Sequence, residues 1–371
     1  MPKRCQSDVV REGLLRRIAG ASRWADGDRL PVVRQLEKEF GVSRVTALAA
    51  LRKLAEEGIV HVSPRHFATV APGAAVRAAD LLTSMLARPP YRRVALLFPE
   101  RHLPLRFTFG QAVERFLGPA AAERNMETEI VQWPYKEQPR FVESLLRRGF
   151  TGALAFGLEA RLLPTIYEMR RHCFPLVVFN RRIPEVDVPS VLLDERGATR
   201  KIASALATMG HRNMCLVYLA FDDRLREAEQ RAEAWVSYLA EAGLLDDCSM
   251  PVYYVQPRDD VDMFAPLLRL DERPTAMVFG YAYLLDRFVK GRERPGFRVP
   301  EDVSLASFDV IYGIQMPSWC PPVTTVHDDA RRSIECMIEA LDRIWGGERH
   351  PPNIRVPMDL HLTDSIGPAP G

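Results

Sequence analysis

Two hydrophobic periods divide this chain. In the first 70 residues the period is helical: Val9, Val10, Leu14, Leu15 and Ile18 form one apolar stripe, and Val32, Leu36 and Phe40 form another. From Arg93 onward, short β-rich runs alternate with helical ones. The runs predict strands over 94–98, 129–132, 152–156, 176–179, 190–193, 214–219, 252–255, 276–279, 304–308, 324–327 and 354–360. Helices are expected over 109–123, 140–148, 195–209, 224–242, 263–269, 282–290 and 329–345. Such alternation calls for an α/β fold, a doubly wound parallel sheet with helices on both faces. The units suffice for two subdomains with a ligand cleft at the strand C-termini.

Punctuation refines the first segment. Pro31 suits the first position of a second helix, and Gly41 suits its left-handed C-terminus. Ser43 is placed to cap a third helix over 44–57, which Gly58 closes. Two short strands, 59–62 and 67–70, flank Ser63-Pro64-Arg65-His66. Helix, helix, tight turn, helix and hairpin make a winged helix-turn-helix. A break at Ala71-Pro72-Gly73, a helix over 74–87 and a stop at Pro89-Pro90 form a linker. That helix would set the spacing between two heads in a dimer. The expected organisation is a head over 1–70, a linker over 71–91 and a body over 92–366. Within the body, 92–185 with 324–347 form one subdomain, and 186–323 with 348–366 the other.

Charge adds a polarity to this division. Residues 1–70 carry 13 Lys and Arg against 8 Asp and Glu, whereas the rest of the chain is slightly acidic. A basic head on an acidic body suits phosphate attraction by the head alone, although a solvated charged surface would look similar. The six cysteines are scattered, with no CxxC or metal-finger spacing, and read as reduced thiols. The basic N-terminus is followed by no apolar run, and no run reaches membrane-spanning length. A cytoplasmic location without a membrane partner is the expectation.

The motifs G-D-R-L-P, Arg34, F-G-V-S-R-V-T and L-R-K-L-A-E-E-G-I-V resemble the DNA-binding domain of the GntR family over residues 8–70. The resemblance implies that the start of the third helix enters the major groove. Arg34 and Arg44 would then read bases or phosphates, and Ser43 and Thr46 would contact phosphates. Val45 lies between these groups, and Arg65 and His66 occupy the wing. Two departures stand out. Arg65 or His66 replaces the family's wing glycine, and Leu48 and Ala49 stand where many members carry polar or basic side chains.

The body resembles the effector domain of LacI/GalR-type regulators, which is shaped like a periplasmic binding protein. The phrases that carry this are F-P-L-V-V-F-N-R-R, D-E-R-G-A followed by G-H-R, R-P-T-A-M-V-F-G, and V-P-E-D-V-S-L-A-S-F-D. A GntR head on such a body is found in arabinose-repressor-type regulators. The resemblance implies effector contacts from Arg231, Asp309, Asn180 and Arg181. For Arg231 the alternative is a surface pair with Glu227. Gly280-Tyr281 replaces the family's Asn-Asp, which removes a charge-assisted acceptor for sugar hydroxyls. Tyr281, Tyr283, Phe107 and Phe109 could line an aromatic pocket or simply pack in the core.

No GxSxG, Walker A or HExxH motif occurs. GntR heads are also fused to aminotransferase-like bodies that hold pyridoxal phosphate on a lysine. Here only Lys136, Lys201 and Lys290 follow the head. The expectation is a non-enzymatic homodimer with no cofactor or metal. It would repress transcription from a two-fold symmetric DNA operator and respond to a small molecule, such as a sugar, in the cleft. A body that only dimerises, binding no effector, remains the alternative.

Overall fold

The computed structural model describes residues 6–20, 24–62, 67–87, 92–100, 108–183, 186, 188–219, 226–255, 263–291, 296–310, 316–348 and 351–371. The head consists of α1 (Gln6–Ala19), α2 (Val33–Phe40) and α3 (Arg44–Glu56), followed by β1 (Val60–His61) paired antiparallel with β2 (Thr69–Val70). Leu14, Leu15, Ile18, Leu36 and Leu54 are fully buried at its centre. Gly41 adopts φ 63°, and its N–H returns to the Glu37 carbonyl to end α2. Ser43 caps α3, its Oγ accepting from the Thr46 N–H at 3.3 Å. Pro31 lies two residues before α2 rather than inside it; the cap position is Val32, whose N–H donates to Gln35 Oε1 at 3.1 Å.

The linker helix forms where expected, as α4 (Ala74–Ala87), yet it is not a free spacer. Ala74, Ala78 and Leu82 repeat at i, i+4 and i+8 and are buried in the same apolar cluster as α1. The linker helix is therefore built into the head.

The body begins with β3 (Arg92–Pro99), α5 (Thr108–Ala122), β4 (Met126–Trp133), α6 (Gln138–Arg147), β5 (Gly152–Ala155), α7 (Leu163–Arg171), β6 (Leu176–Phe179) and β7 (Ser190–Leu193). It continues with α8 (Glu195–Thr208), β8 (Met214–Leu219), α9 (Arg226–Glu241), β9 (Val252–Val255), α10 (Ala265–Leu268), β10 (Ala276–Phe279) and α11 (Ala282–Val289). The last elements are β11 (Ser304–Phe308), β12 (Thr324–Asp328), α12 (Ala330–Trp345), β13 (Ile354–Val356) and β14 (Met358–His361). One sheet has the order β13-β7-β6-β5-β3-β4, all parallel. The other has the order β14-β12-β11-β10-β8-β9, parallel except for β14.

These sheets partition the chain differently from the expected subdomains. β7 lies in the first sheet, so the first crossing follows residue 193 and not 185. β12 lies in the second sheet, and α12 then returns to the first, where Trp345 Nε1 donates to the Thr151 carbonyl at 3.0 Å. The single strand expected over 354–360 is two strands in two sheets. Pro357 separates them, and its missing N–H interrupts a ladder there. Helix α7 has no counterpart among the expected segments.

Head and body touch at the end of α7. Arg16 is buried, donating to the carbonyls of His172 at 2.8 Å and Cys173 at 2.9 Å and pairing with Glu12. The Arg171 carbonyl lies so close to Gly20 that a Cβ there would sit 2.2 Å from its oxygen. Among the described residues, no helix is long and apolar enough to cross a membrane.

Candidate nucleic-acid interface and effector site

Helix α3 buries Ala47, Ala50, Leu51 and Leu54. At about 100° per residue, Val45, Leu48, Ala49 and Arg52 fall on the other half of the helix, and Arg44 stands beside them as the first residue of α3. Arg34, Arg44 and Arg52 are exposed, and Thr46 is half-buried. Ser43 Oγ and Thr46 Oγ1 lie 2.9 Å apart at the helix N-terminus, where backbone N–H groups favour anions.

Part of the head's positive charge is engaged within the head. Arg11 pairs with Glu57, Arg16 with Glu12, Arg17 with Glu39 and Lys53 with Asp8, while Arg77 donates to the carbonyls of Gly58 and Pro72. Among the described residues, Arg34, Arg44 and Arg52 make no ion pair, although the same head supplies acids to their neighbours. Arg65 and His66 of the wing lie outside the described residues.

The expected effector residues converge on the strand C-termini. Asn180 follows β6, Gly280-Tyr281 follows β10 and Asp309 follows β11. Asn180 (φ 47°) and Asp309 (φ 64°) both hold left-handed backbone, which Asn and Asp tolerate best among residues with a Cβ. Arg231 projects from α9 and is 4% exposed. Its Nε donates to Glu195 Oε2 at 2.6 Å, and Nη2 to Glu195 Oε1 at 3.1 Å and Asp309 Oδ1 at 3.3 Å. Nη1 donates to the Gly280 carbonyl and to Asp309 Oδ2 at 3.3 Å. These contacts match the five N–H donors of a guanidinium. Burial works against its charge, but Asp309 and Glu195 outweigh that and raise its pKa well above the usual value. The side chain of Glu227, the partner considered from spacing, lies outside the described residues.

Glu195 is the residue that the sequence reading missed. It is 1% exposed, and Asn180 Nδ2 donates to its Oε1 at 3.0 Å. Asn180 Oδ1 meanwhile accepts from the Leu193 N–H at 3.0 Å, so the network joins the two sheets. A signal existed: Glu195, Ala198, Thr199, Ile202 and Leu206 share the buried face of α8. An acid at the head of such a stripe needs a buried partner.

The Gly280-Tyr281 departure also has a local cause. A Cβ on residue 280 would sit 2.4 Å from the Tyr218 ring, so only glycine fits beneath it. The Tyr218 and Tyr281 hydroxyls are 3.1 Å apart, and burial raises both phenols, Tyr281 to about 12. The Arg231 guanidinium lies 4.3 Å from the Phe308 ring centroid and 5.5 Å from that of Tyr281. Burial, helped by the Asp309 charge, pushes Asp328 up to about 6 against the Ser333 hydrogen bond.

The remaining site residues divide. Arg181 is buried. Tyr283 packs against the apolar cluster of the second sheet. Phe109 is the second residue of α5, and Phe107 lies outside the described residues. Trp235 is fully buried and donates to the Pro251 carbonyl at 2.9 Å, a packing role. A separate cavity of about 310 Å³, lined by Leu267, Met277, Phe297 and Val303 among others, shares no residue with the Arg231 network.

The two units define a winged helix-turn-helix head on a periplasmic-binding-protein-like body. Residues 6–70 match the bacterial regulatory proteins of the gntR family, and residues 203–366 match the periplasmic binding protein-like domain. The HTH-type transcriptional repressor CytR of Escherichia coli (strain K12) is 26% identical over 219 residues, 57% of this chain and 61% of CytR. The HTH-type regulator KdgR of Bacillus subtilis (strain 168) is 21% identical, over 52% of this chain and 57% of KdgR. The chain thus spans about three-fifths of the length of the curated relatives it matches. Among solved structures, a LacI transcriptional regulator from a Rhodococcus species aligns with a TM-score of 0.59 and 21% identity, covering 76% of this chain and all of that one. A LacI-family regulator from Enterococcus faecium with bound ribose aligns at 0.58 and 19% identity, covering 75% of this chain and 99% of that one. The chain joins a GntR-type helix-turn-helix domain to a periplasmic-binding-protein-like domain; its curated relatives include HTH-type transcriptional regulators, and its structural neighbours include LacI-family regulators.

Proposed function

We propose that this protein is a transcriptional repressor that binds a two-fold symmetric DNA operator as a homodimer and responds to a small molecule between its subdomains. It performs no catalysis in this role and acts in the cytoplasm. The observation that carries the reading is that exposed Arg44 and Arg52 of α3 and Arg34 of α2 make no ion pair among the described residues. Arg34, Ser43, Arg44, Val45 and Thr46 form the described part of the DNA contact, and Arg65 and His66 are assigned to the wing. Phosphate contacts fix the register of the helix in the groove, and base edges supply the sequence preference. The test is selection of a preferred duplex from a randomised pool by the full chain, followed by titration at several salt concentrations. Enrichment of a two-fold symmetric sequence, with affinity falling steeply as salt rises, supports the reading. Weak binding without any preferred sequence counts against it.

The effector, a sugar or related metabolite, would meet Asn180, Arg181, Arg231, Tyr281 and Asp309, with Phe107 and Phe109 assigned beside them. Closing on it would shift the balance between two placements of the heads, which requires different effector affinities in the two states. A second reading is favoured by one observation: every donor of Arg231 is already engaged within the chain. In that reading the body serves only for dimerisation. A thermal-shift screen of sugars, sugar acids and nucleosides separates the two, because a ligand stabilises the state that binds it.

A further inference from the structure

The recognition helix carries an apolar strip among unpaired cations. Val45 is the second residue of α3 and is 77% exposed, turned away from the face that Ala47, Ala50, Leu51 and Leu54 bury. Leu48, one turn on, is half-buried and lies outside the head's apolar cluster. Ala49 continues the strip, Arg44 and Arg52 border it on the same helix, and neither they nor Arg34 of α2 make an ion pair among the described residues. The fold gives Val45 no packing role, so its exposure needs another account.

We propose that Val45, seconded by Leu48, reads the C5-methyl groups of thymines in the major groove and so fixes A·T pairs at the centre of each half-site. This rests on the DNA-binding reading above and adds the base it prefers. The bordering cations favour a polyanion over an apolar protein face as the occupant. Within the major groove, thymine alone presents a methyl group; guanine, cytosine and adenine present hydrogen-bonding edges. Valine and leucine can neither donate nor accept. Laid over a G·C pair they would desolvate polar edges without replacing the lost bonds, whereas over thymine they bury carbon against carbon. Arg44 remains beside them for a guanine or phosphate neighbour.

The test needs no change in the protein. A duplex is first selected from a randomised pool by the full chain. Each thymine of a half-site is then replaced in turn by deoxyuridine, which lacks only the methyl group. Replacement at the one or two positions under the strip should weaken binding about three- to tenfold. Val45→Ala should lose that sensitivity at one position while keeping the wild-type melting temperature, since the side chain is outside the core. Equal affinity for every deoxyuridine duplex overturns the proposal while leaving DNA binding intact. So does a G·C pair at the position whose preference Val45→Ala changes. Unchanged DNA selectivity combined with altered self-association in Val45→Ala would mean that protein covers the strip, and also overturns it. A chain that enriches no sequence and shows no salt-dependent binding fails at the earlier step and removes both readings.

Discussion

The exposed face of α3 and the network around Arg231 both depend on arginine, but in opposite states. In the head, Arg34, Arg44 and Arg52 are exposed and make no ion pair among the described residues. In the body, Arg231 is buried with all its donors engaged by Glu195, Asp309 and the Gly280 carbonyl. A charge left unpaired at a surface is available to a partner and contributes little to folding. A charge satisfied inside is part of the fold, and any ligand must compete with contacts already made. The difference predicts that mutation will separate DNA affinity from stability in the head and merge ligand response with stability in the body.

Arg231→Ala should break this contrast most severely. It leaves Glu195 buried without its cation, and loss of about 3–5 kcal/mol in denaturant unfolding is expected. A stability change within experimental error would mean that the network is not held in solution. Gly280→Ala drives a methyl group into the Tyr218 ring and should cost about 1–3 kcal/mol. Tyr218→Ala in the same chain should return part of that cost, and additivity of the two changes would show that the contact is not tight. Ser43→Ala removes the α3 cap and should destabilise the head by about 1 kcal/mol, read by hydrogen exchange along that helix.

An effect confined to acidic solution concerns the junction between head and body. Burial lowers His172 from 6.5 to about 4, and the Arg16 charge reinforces it. The folded chain therefore keeps this imidazole neutral while the unfolded chain takes up a proton. Stability from this group is present above about 6.5 and is lost as the pH falls toward about 4. Asp328, raised to about 6, has the opposite sign and favours the folded state below that pH. Comparison of wild type with His172→Gln across this range isolates the histidine, and identical pH profiles would deny it the role.

The sequence made the architecture legible because its signals were local. Gly41, Ser43 and the alternating runs placed α2, α3 and most strands, with the bounds of β6 to β11 reproduced to the residue. What escaped depended on distant partners. Assignment of β7, β12 and β13 to sheets rests on pairing that no window of residues contains. Pro357 was visible, but only the two sheets explain why the chain breaks there. Asn180, Arg231, Tyr281 and Asp309, expected from the motifs to meet an effector, lie in one network. Glu195, which holds Arg231 in place, was hidden by the separation of the two along the chain. The packing of the linker helix into the head was likewise a tertiary fact, although the Ala74, Ala78 and Leu82 spacing hinted at it.

If the arginines of the head that make no ion pair serve DNA while Arg231 serves the body, one experiment separates the two: titration of the selected duplex at one fixed salt concentration with wild type and Arg44→Ala, alongside their unfolding curves. Arg44→Ala should lose about 1–3 kcal/mol of specific binding while unfolding as wild type does. Wild-type affinity in Arg44→Ala, with its fold intact, would contradict the account.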